Sequence, residues 1–128
     1  VLALNSGTIS DASGNNATLA HSSVANNLSF MVDTTAPTLA QVTAVAPLNS
    51  LTPTYTFSSN EAGTITYAGA CSSTTTSASV DNNTITLATL SDGTTYDDCT
   101  TTVTDTAGNI SDTLTITEFA ICMNPKEC

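Results

Sequence analysis

Residues 54–67 read Thr54-Tyr55-Thr56-Phe57-Ser58-Ser59-Asn60-Glu61-Ala62-Gly63-Thr64-Ile65-Thr66-Tyr67. Two period-two runs flank a turn. Successive side chains of a strand point to opposite faces, so each run presents one apolar face and one hydroxylated face. That is the pattern of a half-buried antiparallel strand. The β-branched Thr on the wet face keeps strand propensity without adding charge. The segment Ser59-Asn60-Glu61-Ala62-Gly63 between the runs is rich in turn formers.

The same alternation recurs outward from this hairpin, at Thr84-Ile85-Thr86-Leu87, Thr101-Thr102-Val103-Thr104 and Leu114-Thr115-Ile116-Thr117. Turn signals separate the runs: Pro47-Leu48-Asn49-Ser50, Asp81-Asn82-Asn83, Ser91-Asp92-Gly93 and Asp105-Thr106-Ala107-Gly108-Asn109. No stretch carries helical periodicity. Seven strands are expected, near 39–46, 53–58, 63–69, 75–80, 84–89, 95–104 and 111–120. The spacing of about ten residues is that of a β-sandwich. The fold class is therefore all-β, with one sandwich of Ig-like size over 39–121.

The first 36 residues differ. They hold short apolar runs at Val1-Leu2-Ala3-Leu4, Ala17-Thr18-Leu19-Ala20 and Leu28-Ser29-Phe30-Met31-Val32. Three strands do not close a sandwich of their own. The motif D-x-x-G-N occurs twice, at Asp11-Ala12-Ser13-Gly14-Asn15 and at Asp105-Thr106-Ala107-Gly108-Asn109. This weak internal repeat divides the chain into a partial unit (1–32), a linker (33–38), a complete unit (39–121) and a tail (122–128). Pro37 stiffens the linker and biases Ala36 toward an extended form.

Composition narrows the function. Of 128 residues, 27 are Thr and 15 are Ser, while only 9% are charged. One Lys and no Arg stand against 11 acidic residues, for a net charge of −10. Nucleic-acid binding needs phosphate-neutralising cations that the chain lacks. An anionic membrane surface is disfavoured for the same reason. No apolar run is long enough to span a bilayer, so membrane insertion is not expected.

Four cysteines stand at 71, 99, 122 and 128. No C-x-x-C pair exists, and a single His cannot complete a Cys2His2 zinc set. Three connectivities are open. The spacing favours Cys71–Cys99 across the middle of the chain and Cys122–Cys128 closing a small loop. The first loop is worth roughly 3–4 kcal/mol in the chain-entropy account. Disulfides point to an oxidising setting, extracellular or periplasmic.

Four blocks now stand in order: V-D-T-T-A-P-T (Val32 to Thr38), S-x-E-A-G-T-I-T-Y (Ser59 to Tyr67), D-G-T-x-Y-x-x-C (Asp92 to Cys99) and T-V-T-D-T-A-G-N-x-S (Thr102 to Ser111). Together they resemble the bacterial Ig-like repeats found in tandem in large secreted adhesins, biofilm proteins and surface-layer-type proteins. The resemblance covers most of 33–121, and residues 1–32 resemble the end of such a repeat. It implies an Ig-like Greek-key sandwich with a role in adhesion or spacing. Asp92 and Tyr96 resemble a tyrosine corner, in which a Tyr hydroxyl anchors a turn. Tyr96 lies three residues before Cys99 rather than two. The Trp of antibody domains is absent, and Cys71 does not occupy the antibody cysteine position.

The inventory for catalysis is thin. His21 is the sole His, and its neighbours Ser22 and Ser23 do not form a catalytic pair with it in an extended segment. Nothing in the sequence places Glu61 and Glu118 in one cleft. No enzyme activity is expected. Calcium is the one candidate cofactor, since acidic and amide oxygens cluster in turns: Asp11, Asn15, Asp33, Asp105 and Asn109, with Asp97, Asp98 and Asp112 nearby. The competing reading is turn chemistry alone, with Gly at positive φ and Asp capping the hairpin. Asn-x-Ser/Thr sequons fall at Asn16, Asn27, Asn82 and Asn109, in a chain where a third of residues carry hydroxyls. Lys126 in the tail offers a weak isopeptide motif.

The function expected is an extracellular structural or adhesive module on a cell surface. Its partners are neighbouring Ig-like repeats or identical subunits, and a host or biofilm surface receptor. The alternative is a filament subunit that completes a sandwich with strands 1–36 of a neighbour. A glycan-binding role ranks last, given three Tyr, three Phe and no Trp.

Overall fold

A computed structural model describes residues 11–16 and 32–124. The chain divides into two compact units, Val1–Val32 and Asp33–Cys128. In the first unit the described residues form the Asp11–Asn15 turn. The apolar runs at 1–4, 17–20 and 28–31, together with His21, Asn27, Lys126 and Cys128, lie outside the described residues.

The second unit is all-β among its described residues, with nine strands. These are β1 (Leu39–Ala46), β2 (Thr54–Ser59), β3 (Gly63–Ala68), β4 (Ser77–Ala78), β5 (Asp81–Thr86), β6 (Thr95–Tyr96), β7 (Thr100–Thr104), β8 (Leu114–Thr115) and β9 (Phe119–Ala120). They form three antiparallel sheets, ordered β1-β2-β5, β4-β3-β7-β8 and β6-β9. The two larger sheets share one core. Tyr55, Phe57 and Ile85 enter it from the first sheet, and Ile65 and Val103 from the second. The hydroxyl–apolar alternation thus places Tyr55 and Phe57 inside and Thr54, Thr56 and Ser58 on the wetter face of β2.

Thr101 breaks the simple pattern. It lies on the inner face of β7, fully buried. Its hydroxyl shares a 2.8 Å hydrogen bond with the Tyr55 hydroxyl, joining the two sheets through the core. A buried hydroxyl needs such a partner.

Nine strands replace the expected seven, because two of the expected runs are each cut in two. The run at 95–104 is cut at Asp97–Cys99. There the Asp98 carboxylate accepts the Ala70 N–H at 3.1 Å, and Cys99 is bonded to Cys71. The chain leaves β6 in one sheet and resumes as β7 in another. The run at 111–120 is cut at Ile116–Glu118. The Ile116 N–H goes to the Cys99 carbonyl at 2.9 Å, and the Thr117 N–H to the Gln41 side chain at 2.9 Å. The strand expected over 75–80 shrinks to Ser77–Ala78.

Residues Asp81-Asn82-Asn83, expected as a turn, belong to β5 opposite Ser59, Ser58 and Phe57. The Asn83 carboxamide makes this possible. It accepts the Ser79 N–H and donates to the carbonyls of Ser79 and Asp81, so it closes the preceding turn from inside the strand.

The linker is pinned at its end. Pro37 is buried, and the Thr38 N–H donates to the Asn60 side chain at 2.6 Å.

Candidate functional site: the acidic pole

Strand register brings three turns together at one end of the second unit. β3 and β7 pair so that Thr64 faces Thr104. The turn before β3, with Glu61, therefore stands beside the turn after β7, with Asp105. β1 starts beside the end of β2, with Leu39 opposite Ser59, which delivers the linker to the same pole. As a result, carboxylate oxygens of Asp33, Glu61 and Asp105 lie within 4.8 Å of one another.

The D-x-x-G-N turn sets Asp105. Its Oδ1 accepts the N–H groups of Ala107 at 2.8 Å and Asn109 at 2.9 Å, and its Oδ2 accepts the Asn109 side-chain amide at 2.7 Å. The Asn109 amide bond, followed by the turn's N–H groups, holds the Asp105 carboxyl below the usual carboxylate value. It remains ionised beside two other acids. Gly108 adopts φ +95°, the left-handed conformation the turn requires. The Asn109 amide also donates to the Asp33 carbonyl at 3.2 Å, which fastens the linker backbone to the turn. Asp33 caps its own bend, accepting the Thr35 N–H at 3.0 Å.

The other copy of the motif repeats this geometry. Asp11 Oδ1 accepts the N–H groups of Ser13 and Asn15, and Oδ2 accepts the Asn15 amide, each at 2.9 Å. Gly14 has φ +82°, matching Gly108. The Asn15 amide and then its N–H hold the Asp11 carboxyl below its usual value.

Of the five residues expected to supply calcium ligands, Asp33 and Asp105 contribute their carboxylates to one cluster. Asn109 supports it from the side. Asp11 and Asn15 belong to the first unit. Asp97 and Asp98 sit between β6 and β7, outside the acidic cluster. Glu61 is the member that sequence spacing missed. Its signal was the turn position shared with Asp105 once β3 and β7 are paired in register. Three carboxylates offer hard oxygens of the kind a hydrated divalent cation takes. The Asp33 and Asp105 oxygens, however, already accept backbone or amide donors.

At the opposite pole Tyr96 packs among the turns. The Tyr96 hydroxyl accepts the Ser91 N–H at 2.7 Å, and its ring stacks on Phe119 with centroids 5.2 Å apart. Asp92 does not join Tyr96. Its carboxylate accepts the Met123 N–H at 2.8 Å and holds the outgoing chain. Cys71 and Cys99 form a disulfide, with Cα atoms 5.2 Å apart. Cys122 is also disulfide-bonded, and its expected partner Cys128 lies outside the described residues.

A shallow groove of about 310 Å³ runs beside the acidic pole, lined by Thr38, Ala40, Ser58, Asn60, Asp81 and Asn82 among others. No aromatic ring lines it. Every aromatic side chain among the described residues is buried or half-buried, so none forms an exposed platform for a sugar.

No family model, curated protein or solved structure matches this chain.

Proposed function

We propose that this chain is an extracellular structural and adhesive module, one Ig-like repeat with part of another, that acts as a stiff spacer in a bacterial surface protein. The observation that carries the reading is the path of the chain through the second unit. The chain comes in at the acidic pole, where Asp33 meets Glu61 and Asp105. It leaves at the other pole, where the Cys122 N–H donates to the Leu48 carbonyl at 2.8 Å, two residues past the end of β1. The two points are separated by the eight residues of β1, or about 27 Å at the usual rise of a strand. A module crossed from pole to pole suits a head-to-tail array.

Three further features support it. The buried Cys71–Cys99 bridge fits an oxidising compartment. The Tyr96–Ser91 bond anchors a turn in the manner of a tyrosine corner, in keeping with the Ig-like resemblance. The net charge of −10 keeps neighbouring stalks apart.

Light scattering after gel filtration, with negative-stain images of the same oxidised sample, tests this. A 13.0 kDa monomer is the expected result. Fibres or high-mass species would replace the spacer by a strand-exchanged filament subunit.

A further inference from the structure

We propose that the Cys71–Cys99 bridge is a cryptic, load-gated lock: shielded from thiols in the folded module, it becomes reducible once tension opens the C-terminal segment. The inference rests on the spacer reading and adds a redox-controlled limit to how far the module extends.

Cys99 is fully buried and Cys71 nearly so, at 0% and 3% exposure. Thiol–disulfide exchange needs in-line access to a sulfur, which the folded module denies. The C-terminal segment packs in the same core as the bridge. Ile116, itself buried, donates its N–H to the Cys99 carbonyl. Ile116 lies between β8 and β9, each a two-residue strand, on the segment that leads to the exit at Cys122. Tension between Asp33 and Cys122 acts directly on that segment. On the other side, the Asp98 carboxylate holds the Ala70 N–H, which fastens the loop before Cys71 to the loop that carries Cys99.

The bridge also bypasses part of the chain. It joins residues 28 apart, and the enclosed segment contains β4, β5 and β6. When the oxidised module unfolds, tension runs from Asp33 to Cys71, across the bridge and on from Cys99 to Cys122. The chain released is roughly 61 residue steps, about 220 Å of contour. The locked loop holds back a further ~95 Å, from 28 residues at about 3.6 Å each less the 5.2 Å already spanned.

Release is an exchange with a small dithiol. One thiolate attacks a bridge sulfur, displaces the other as thiolate and forms a mixed disulfide. The second thiol of the reductant, as thiolate, then attacks the reductant's own sulfur in the mixed disulfide and displaces the remaining cysteine as thiolate. The dithiol loses two electrons and two protons and becomes a cyclic disulfide. The bridge gains them and becomes two cysteine thiols.

The test holds the full chain between handles at constant force in dithiothreitol. A first elongation of the 61-residue path should be followed by a second of ~95 Å, at a rate proportional to dithiol concentration. In parallel, the folded chain is incubated in the same dithiol without load, alkylated and mapped by mass. Cys71 and Cys99 should stay unlabelled there and become labelled in denaturant. A C71A/C99A variant should elongate through the 71–99 segment in its first step and lack the dithiol-dependent step of ~95 Å. If that variant does not fold, the labelling comparison decides. Labelling at rest as fast as in denaturant, or no dithiol-dependent second step, overturns the lock. A first step at forces no higher than an unfolded linker yields to would count against the spacer reading instead, and leaves the second step to judge the lock.

Discussion

The Asn109 side-chain amide donates to the backbone carbonyl of Asp33, 76 residues away, at 3.2 Å. One amide thereby joins the turn after β7 to the linker that enters the unit, while its other bond holds the Asp105 carboxylate. Asn109→Ala should lower the melting temperature by a few degrees at neutral pH. Asn109→Asp should be worse, because it loses the donor and adds a fourth acid to the pole. The pH dependence has a defined sign. A carboxyl held below its unfolded value stabilises the fold above that value and loses the contribution as pH falls through the folded value. For Asp105 and Asp11 the loss begins near 3.8, the ordinary value, and continues below it. Asn109→Ala should flatten this acid limb, since Asp105 returns toward 3.8. Urea denaturation between pH 2.5 and 7 measures both effects; an unchanged acid limb in the variant would remove Asn109 as the cause.

The acidic pole predicts a response to ions. Three carboxylates within 4.8 Å repel one another, and the chain's single Lys, at position 126, lies outside the described residues. Melting temperature should rise with salt through screening, and should rise at lower concentration with calcium than with sodium. Glu61→Gln should raise the melting temperature in chelator, because one repelling charge is gone. It should also shrink the increment that calcium gives. Calorimetry in chelator, sodium and calcium at matched ionic strength tests this. Equal increments from the two cations, with no change on Glu61→Gln, would show that the three acids do not act together.

The pattern of Tyr55, Phe57, Ile65, Ile85 and Val103 was legible because alternation depends only on neighbours in sequence. The same holds for the turn at Asp105–Asn109, whose Asp, Gly and Asn supply their own partners. Other features required tertiary information. Asp81-Asn82-Asn83 carries turn residues, yet Asn83 satisfies its amide against Ser79 and stays in the strand. The breaks at Asp97–Cys99 and Ile116–Glu118 depend on Ala70, Cys71 and Gln41, which are remote in sequence. Glu61 looked isolated for the same reason, since only the β3–β7 register brings it to Asp105.

The Tyr55–Thr101 pair should behave as a unit. Either Tyr55→Phe or Thr101→Val leaves one buried hydroxyl without its partner, a loss of about 1–3 kcal/mol. The double variant removes both groups and should lose less than the two singles together. Burial also pushes the Tyr55 hydroxyl up to about 12, against the help of its Thr101 bond. A group whose folded value is raised stabilises the fold below its unfolded value, here 10, and loses that contribution as pH rises toward 12. Stability should therefore fall above pH 10, and Tyr55→Phe should flatten that alkaline limb. Denaturant titrations of the four proteins at pH 7 and pH 11 supply both comparisons; strictly additive losses would mean that the two hydroxyls act independently.

Gly69 and Gly108 both have positive φ, +77° and +95°, but their surroundings differ. A Cβ built at Gly108 meets nothing within 4 Å, so Gly108→Ala should cost only the backbone strain, about 1 kcal/mol. A Cβ at Gly69 would run into the Asp98 carbonyl, a backbone group on the loop that carries Cys99. That loop cannot yield freely, because Asp98 holds the Ala70 N–H and Cys99 is bonded to Cys71. Gly69→Ala should therefore cost well over the strain alone, more than about 2 kcal/mol. Because the clash falls on the loop that aligns the bridge, the variant should also expose the cysteines, and alkylation after mild reduction should label Cys71 and Cys99 faster than in Gly108→Ala. Equal destabilisation of the two variants would mean that the 98–99 loop moves aside at little cost, and that the bridge rather than the close approach at Gly69 sets its position.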